Sequence, residues 1–359
     1  MNAGKAIVMH ALVMIGLLAC GPAVVVAGGG DGSIEGWGYD NHGQCEAPAP
    51  NEDFLAVAAG GYHSLGVKTD GSIVAWGWND DGQCDVPAPN EDFVDVAGGG
   101  LHSLGLKADG SIEGWGYNAY GQCDVPPPNG DFVAVAAGEH HSLGLKSDGS
   151  IVAWGENDDG QCDVPEPNTD FIAIAGGGRH SLGLKQDGSI VAWGDNARQQ
   201  CDVWELNTGF VALAAGFCHS LGLKSDGSIV AWGCNDHGQC DVPDPNTDFV
   251  AVAAGGWHSL GLKADGWIVA WGCNEDNQCE VPTPNEDFVA LAGGAKHSLG
   301  LKAGAPSCPA DFDDDGDVDT ADLLHLLGCW GTDCGDVDFD GDTDTADLLA
   351  LLAVWGDCP

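Results

Sequence analysis

One periodicity decides what this chain can become. A Trp-Gly pair recurs at Trp37, Trp76, Trp115, Trp154, Trp193, Trp232 and Trp271, each 39 residues after the last. His-Ser-Leu-Gly recurs with the same step at His63, His102, His141, His180, His219, His258 and His297. From Asp31 to Ala303 there are 273 residues, seven full periods. A unit this short cannot bury an apolar face alone, so its copies must stack on one another.

Each period contains apolar or alternating segments of the kind FVAVAAG, HSLGLK and GSIVAWG, punctuated by Gly, Asn, Asp and Pro. These read as three short strands, with a weaker fourth expected around GQCDVP. Four strands in about 40 residues is the pattern of a β-propeller blade. The array opens mid-period with DGSIEGWG and closes mid-period with HSLGLKA. Strands near Phe288 and His297 are therefore expected to pair with strands near Ile34 and Trp37, leaving no open edge. The fold class expected for 31–303 is an all-β seven-bladed β-propeller, with six contiguous blades and one shared.

Residues present seven times describe scaffold, because a blade contact is needed in every blade and a catalytic group only once. The histidines beginning at His63 are expected to hydrogen-bond between strands, and the Trp-Gly tryptophans to pack blades. Cys45, Cys84, Cys123, Cys162, Cys201, Cys240 and Cys279 are expected as small buried apolar residues, too far apart for the ~5.5 Å Cα separation of a disulfide. Asp-Gly after each repeated lysine marks a hairpin turn. The glycine before Gln-Cys becomes Asn277 in the last copy, as a positive φ allows, and Gln199 in the fifth, which reads as a local departure.

Function should then lie where the copies differ. The residue before His-Ser-Leu-Gly reads Tyr62, Leu101, His140, Arg179, Cys218, Trp257, Lys296. The residue after Trp-Gly reads Tyr39, Trp78, Tyr117, Glu156, Asp195, Cys234, Cys273. In a meander both series fall on one face, opposite the nearly constant Lys-x-Asp-Gly-Ser turn. A three-residue hairpin loop would set them directly across from each other, as Tyr62–Trp78, Leu101–Tyr117, His140–Glu156, Arg179–Asp195, Cys218–Cys234, Trp257–Cys273 and Lys296–Tyr39. The pairing predicts a Cys218–Cys234 disulfide, with Cys234–Cys240 as the rival. Tyr39, Tyr62, Trp78, Leu101 and Tyr117 come from consecutive blades and make an aromatic arc; with Trp257 they are the candidate binding residues.

The formal net charge of -44 rests on only 11 Lys+Arg, seven of them the repeated Lys68, Lys107, Lys146, Lys185, Lys224, Lys263 and Lys302. No basic patch can form, which excludes nucleic-acid binding. At the N-terminus Lys5 precedes an apolar run from Ala6 to Ala19, with small residues near Ala27. Residues 1–27 read as a signal peptide. Leu17 to Cys20 also fits a lipobox, in which Cys20 would carry lipid. Export to the medium or the cell envelope makes disulfides permissible.

After a linker at 304–306 the composition changes. Residues 307–359 hold two related units, DFDDDGDVDTADLLHLL and DVDFDGDTDTADLLALL. Each places carboxylates at alternate positions around one glycine, the spacing of an EF-hand-like calcium loop. The candidate ligands are Asp311, Asp313, Asp315, Asp317, Asp319 and Asp322 in the first, and Asp336, Asp338, Asp340, Asp342, Asp344 and Asp347 in the second, for two calcium ions. Leu323, Leu324, Leu327 and Trp330, repeated as Leu348, Leu349, Leu352 and Trp355, predict an apolar helical stripe after each loop, hence a small α-helical EF-hand-like domain. Cys308, Cys329, Cys334 and Cys358 allow two disulfides in any of three connectivities.

The run WGxNxxGQ followed by AAGGxHSLGLKxDGS, in seven in-phase copies over nearly all of 31–303, resembles the regulator of chromosome condensation repeat family in its bacterial form. That resemblance implies a seven-bladed propeller used as an interaction platform. The paired aspartate-rich loops of 308–359 resemble a type I dockerin, which implies two calcium ions and docking onto a cohesin-type partner. In that family, recognition residues follow the loops; Thr320-Ala321 and Thr345-Ala346 stand there in this chain.

Together these features predict an exported, monomeric, non-enzymatic binding protein. Its propeller face would take a protein or polysaccharide, and its calcium module would attach it to a partner or the envelope. An enzyme would need a unique acid, base or metal cluster, and the sole suggestive group is His140, His141 and Glu156. A purely structural envelope protein is the third alternative.

Overall fold

The computed structural model describes residues 32–203 and 207–303, together with 317–318, 323 and 356–357. The first 21 strands form seven three-stranded antiparallel sheets. Blade 1 consists of β2 (Phe54–Ala59), β3 (His63–Lys68) and β4 (Ile73–Gly77), and blades 2 to 6 repeat it from β5 to β19. Blade 7 joins the two ends of the array, with β1 (Ser33–Gly38) against β21 (His297–Lys302), and β21 against β20 (Phe288–Gly293). The register runs from Ser33↔Lys302 to Gly38↔His297. First strands of neighbouring blades touch all the way round, β2 against β5 (Phe93–Gly98) and finally β20 against β2.

The expected fourth strand is not a strand. After β4 the chain turns at Gly82 (φ 78°) and runs on as an irregular segment to Asn90. Pro87 and Pro89 remove two of the donors that a ladder would need. Asn90 supplies part of what is missing: its Oδ1 accepts from Ile73 N at 2.7 Å and its Nδ2 donates to Ile73 O at 2.8 Å. One amide side chain thus mimics a single rung of sheet. Gln199 keeps the left-handed φ of its counterparts, at 66° beside 64° at Asn277. The turn is therefore the same in the fifth copy, and the expected departure is absent.

The core lies between blades. Leu65, Val67 and Ile73 of blade 1 pack on Phe93, Val96 and Trp115 of blade 2. Leu299, Leu301 and Ile34 of blade 7 meet Phe54, Val57 and Trp76 of blade 1 in the same way. Burying one such side chain stabilises by roughly 1.5–3 kcal/mol. Every repeated lysine lies over the phenylalanine that opens its own blade, as Lys68 does over Phe54 at 4.9 Å. Seven of the cations are thus scaffold as well.

Polar residues lock the same seams. The carbonyl of Gln44 accepts from Trp76 Nε1 at 3.0 Å and from Ser64 Oγ at 2.7 Å. Ser64 has one proton and spends it there, so the contact at 3.0 Å between Ser64 Oγ and His297 Nε2 requires the histidine to donate. The pattern repeats from His63–Ser103 to His258–Ser298, closing a ring of seven buried Nε2–H imidazoles. Their Nδ1 atoms have no hydrogen-bond partner. Burial accordingly holds these histidines far below their ordinary value, to about 4 at His63 and about 3 at His102.

Asp95 breaks the pattern. It stands where the other blades carry alanine, as at Ala56 and Ala134, and its one bond is Oδ1 to Val96 N at 2.9 Å. Desolvation raises its carboxyl from 3.8 to about 7. A raised carboxyl leaves stability intact below pH 3.8 and removes it as pH climbs through about 7. Asp95→Ala is therefore expected to stabilise by on the order of 3 kcal/mol at pH 8 and by almost nothing at pH 4. Urea midpoints at the two pH values check this; equal gains at both would contradict it.

Apart from Asp317 and the helical Leu323, the candidate calcium ligands, the four cysteines of 307–359 and both expected helices lie outside the described residues. Asp317–Val318 pairs with Gly356–Asp357 in a two-residue ladder. The leader, with Cys20, also lies outside them. Among the described residues no helix is long and apolar enough to cross a membrane.

Candidate functional site

Both variable series fall on one face, as the spacing requires. Trp78 N donates to Tyr62 O at 2.9 Å, and the same bond joins Tyr117 to Leu101, Glu156 to His140, Asp195 to Arg179, Cys234 to Cys218, Cys273 to Trp257, and Tyr39 to Lys296. The register is direct because the hairpin loop has three residues, Thr69-Asp70-Gly71, with Gly71 at φ 79° and Lys68 N bonded to Ser72 O.

The side chains divide differently. Arg179 does not pair with Asp195; it reaches Asp159 of the preceding blade's loop at 3.3 Å. Lys296 lies 5.7 Å from the Tyr39 ring centre but puts its ion pair on Asp276 at 3.0 Å. Asp195 accepts instead from Gln200 Nε2 at 2.9 Å. A third variable series, unnoticed in the sequence, explains this: His42, Asp81, Tyr120, Asp159, Arg198, His237 and Asp276. Each stands 20 residues before a first-connection residue, and the loop lays it against the next blade. His42 packs on Tyr62 at 6.2 Å, Tyr120 on His140 at 5.2 Å and His237 on Trp257 at 5.5 Å. The signal was available, since this position changes from copy to copy while the glutamine two residues on is the same in all seven.

The aromatic arc is consequently three clusters of half-buried rings. Tyr39, Tyr62 and Trp78 gather around His42, with Trp78 4.4 Å from the imidazole and Tyr39 5.8 Å from Tyr62. The indole N–H of Trp78 is buried without a partner. Tyr117 joins Tyr120 and His140. Trp257 joins Phe217 at 5.3 Å and His237. Leu101 stands apart from the three and lines the mouth of the central channel. Tyr120 and Phe217 are exposed, at 47% and 40%, as are His42 and His237. On the opposite face the turn is less uniform than expected, for Trp267 replaces the usual serine and is 55% exposed.

At the centre of the variable face the channel opens into a cup of about 430 Å³, within the range of ligand pockets. Its wall is mostly backbone. Gly61 N donates to Gly99 O, Gly100 N to Gly138 O, and so on round to Ala295 N on Gly61 O. A Cβ on Gly99 would lie 2.2 Å from His102 Cε1 and 2.8 Å from Gly138 O, so the blades meet too closely for any side chain. Tyr62, Leu101, Glu139, His140, Phe217 and Trp257 overhang this glycine wall.

The cysteines behave unlike plain apolar residues. The repeated ones are half-buried, and each thiol donates to the carbonyl of the residue after Trp-Gly, as Cys84 Sγ does to Trp78 O at 3.3 Å. Burial, with Asp85 beside it, pushes the Cys84 thiol up to about 12. Cys218 and Cys234 are buried and in hydrogen-bonding contact. Both are free thiols here, so the pair has the expected register without the expected covalent bond; Cys240, the rival, bonds Cys234 O. His140 and Glu156 share the backbone bond alone. Among the described residues no group of three or more His, Cys, Asp or Glu is placed to hold a metal.

The Regulator of chromosome condensation (RCC1) repeat matches residues 54–83, 93–122, 132–161, 171–200, 210–239 and 249–278, together half of the chain. No match was found among curated proteins. Among solved structures the chain is similar to Prp20p from Saccharomyces cerevisiae, studied for its binding to Gsp1p and histones, with 19% identity, TM-score 0.67, and 79% of this chain and 93% of that one covered. It is similar also to human WBSCR16, at 17% identity and TM-score 0.60 over 76% and 99%. The CRINKLY WD40 ectodomain of the Arabidopsis thaliana receptor kinase ACR4 follows at 24% and 0.54 over 66% and 89%.

Proposed function

The chain belongs to the regulator of chromosome condensation repeat family, and from that premise we propose that it is a non-enzymatic binding protein whose propeller face takes a protein partner. One observation carries this reading. Side chains that differ from blade to blade gather around a single cup, on a scaffold whose other residues hardly change. Tyr and Trp with half-buried rings are the residue types that anchor protein interfaces. The neighbouring fold includes a protein that binds other proteins, Prp20p. The reading has two further parts, supported by sequence alone: export through the leader at 1–27, and calcium-dependent attachment through 307–359, with a cohesin-type module as the partner class.

The test is a pull-down from the source organism's extracellular and envelope fractions, using the mature protein with calcium and with chelator. A partner held under both conditions and lost from Tyr62→Ala/Trp78→Ala supports the face; each truncation of such an anchor costs about 2 kcal/mol, or roughly 30-fold in affinity. A partner released by chelator supports the calcium module. Capture unaffected by the double substitution would put binding elsewhere on the ring.

A further inference from the structure

One sector of the cup departs from the rest. The residue before each variable first-connection residue is Gly61, Gly100, Gly178, Gly256 or Ala295 in five blades, and Glu139 or Phe217 in the other two. Glu139 Cγ lies 3.1 Å from where a Cβ of Gly100 would be, and Phe217 Cδ2 lies 3.0 Å from that of Gly178. Both side chains therefore lie across their neighbour's glycine and over the mouth. Glu156, close enough for its charge to act on Glu139, is only 8% exposed, and its Oε2 has no hydrogen-bond partner. Nδ1 of His140, which lines the cup, is buried and equally unpartnered.

A buried carboxylate oxygen without a donor is costly, and native sites rarely keep one idle. The nearby resident cation is Arg179, and its guanidinium is bonded to Asp159. Glu139, Glu156 and Asp159 thus put three carboxylates around one arginine. Burial, ahead of its neighbours, raises the Glu139 carboxyl. Phe217 and Trp257 also line the cup, packed together with ring centroids 5.3 Å apart and Phe217 left 40% exposed. Such faces suit the stem and charge of a long cationic side chain. The charge of -44 on the whole chain selects for the same sign of partner.

We infer that the cup receives an arginine or lysine side chain at the tip of a partner protein's loop, its charge on Glu139 and Glu156 and its stem against Phe217 and Trp257. This rests on the protein-binding reading of the face and names the chemistry of its centre.

The experiment is a selection of phage-displayed constrained loops, one randomised position at the tip, against the full chain in calcium. Selected loops are then synthesised for affinity measurement. Arginine or lysine should dominate the tip. Replacing it by citrulline, or the protein's residues by Glu139→Gln or Glu156→Gln, should weaken binding at least about tenfold. Citrulline leaves the protein untouched, so that arm does not depend on how the variants fold. Loops with neutral tips that still lose affinity on Tyr62→Ala/Trp78→Ala would overturn the cationic site and leave the face standing. Loops indifferent to all these changes, or no selected loops, would overturn both.

Discussion

Lowering the pH from 7 toward 4.5 is expected to unfold the propeller far more steeply than any single titration could. Seven imidazoles are buried neutral, each with its one proton on Nε2 and nothing to receive a second at Nδ1. Their folded values, about 3 to about 4, lie below the ordinary 6.5. A depressed value leaves stability whole above 6.5 and removes it as pH falls, because only the unfolded chain takes up protons in that window. Each histidine then costs up to ~1.4 kcal/mol per pH unit, and seven cost on the order of 10 kcal/mol per unit, against a typical total of about 5–15 kcal/mol. Carboxylates that protonate below about 5 reduce the self-repulsion of so acidic a chain and oppose the loss, but mostly below the window. Asp95 opposes it with one proton. Urea midpoints between pH 7 and 4.5 should give a slope approaching seven protons, and ¹⁵N shifts should show seven Nε2–H tautomers. A flat profile over this range would remove the neutral ring.

The second large effect is steric. Gly99→Ala should cost about 3 kcal/mol or more, since its Cβ would lie 2.2 Å from His102 Cε1 and inside the inter-blade hydrogen bonds. Gly130→Ala is the contrast: nothing lies within 4 Å of its Cβ, and its φ is ordinary. It should be neutral or stabilise by roughly 0.4–1 kcal/mol through the unfolded chain. Thermal melts of the two variants decide the matter. Equal effects would mean that the blades do not approach as closely as described.

Much of this was legible. The 39-residue phase placed β1 beside β21, because a half-period at each end has one way to complete a sheet. The 16-residue spacing placed Tyr62 opposite Trp78. What escaped reading was contact between periods. Arg179 and Asp195 are opposite in charge and opposite in register, which in the sequence alone pairs them; the loop instead lays Asp159 across the seam. The fourth strand failed for a related reason, since two prolines deny it donors and Asn90 supplies one rung from a side chain. Glu139 and Phe217 were overlooked because they interrupt a glycine series whose purpose, close approach of backbones, is visible only in three dimensions.

The clasp in blade 7 also fixes how the protein meets a load. Ser33 lies beside Lys302, so the chain enters and leaves the ring at one place, on the face turned away from the cup. A tether at either end therefore starts from the face opposite the cup. Tension between the two ends would peel β1 from β21 rung by rung rather than shear them. The ring is weakest against being pulled open by its own termini, and an anchor at one end alone never applies that force.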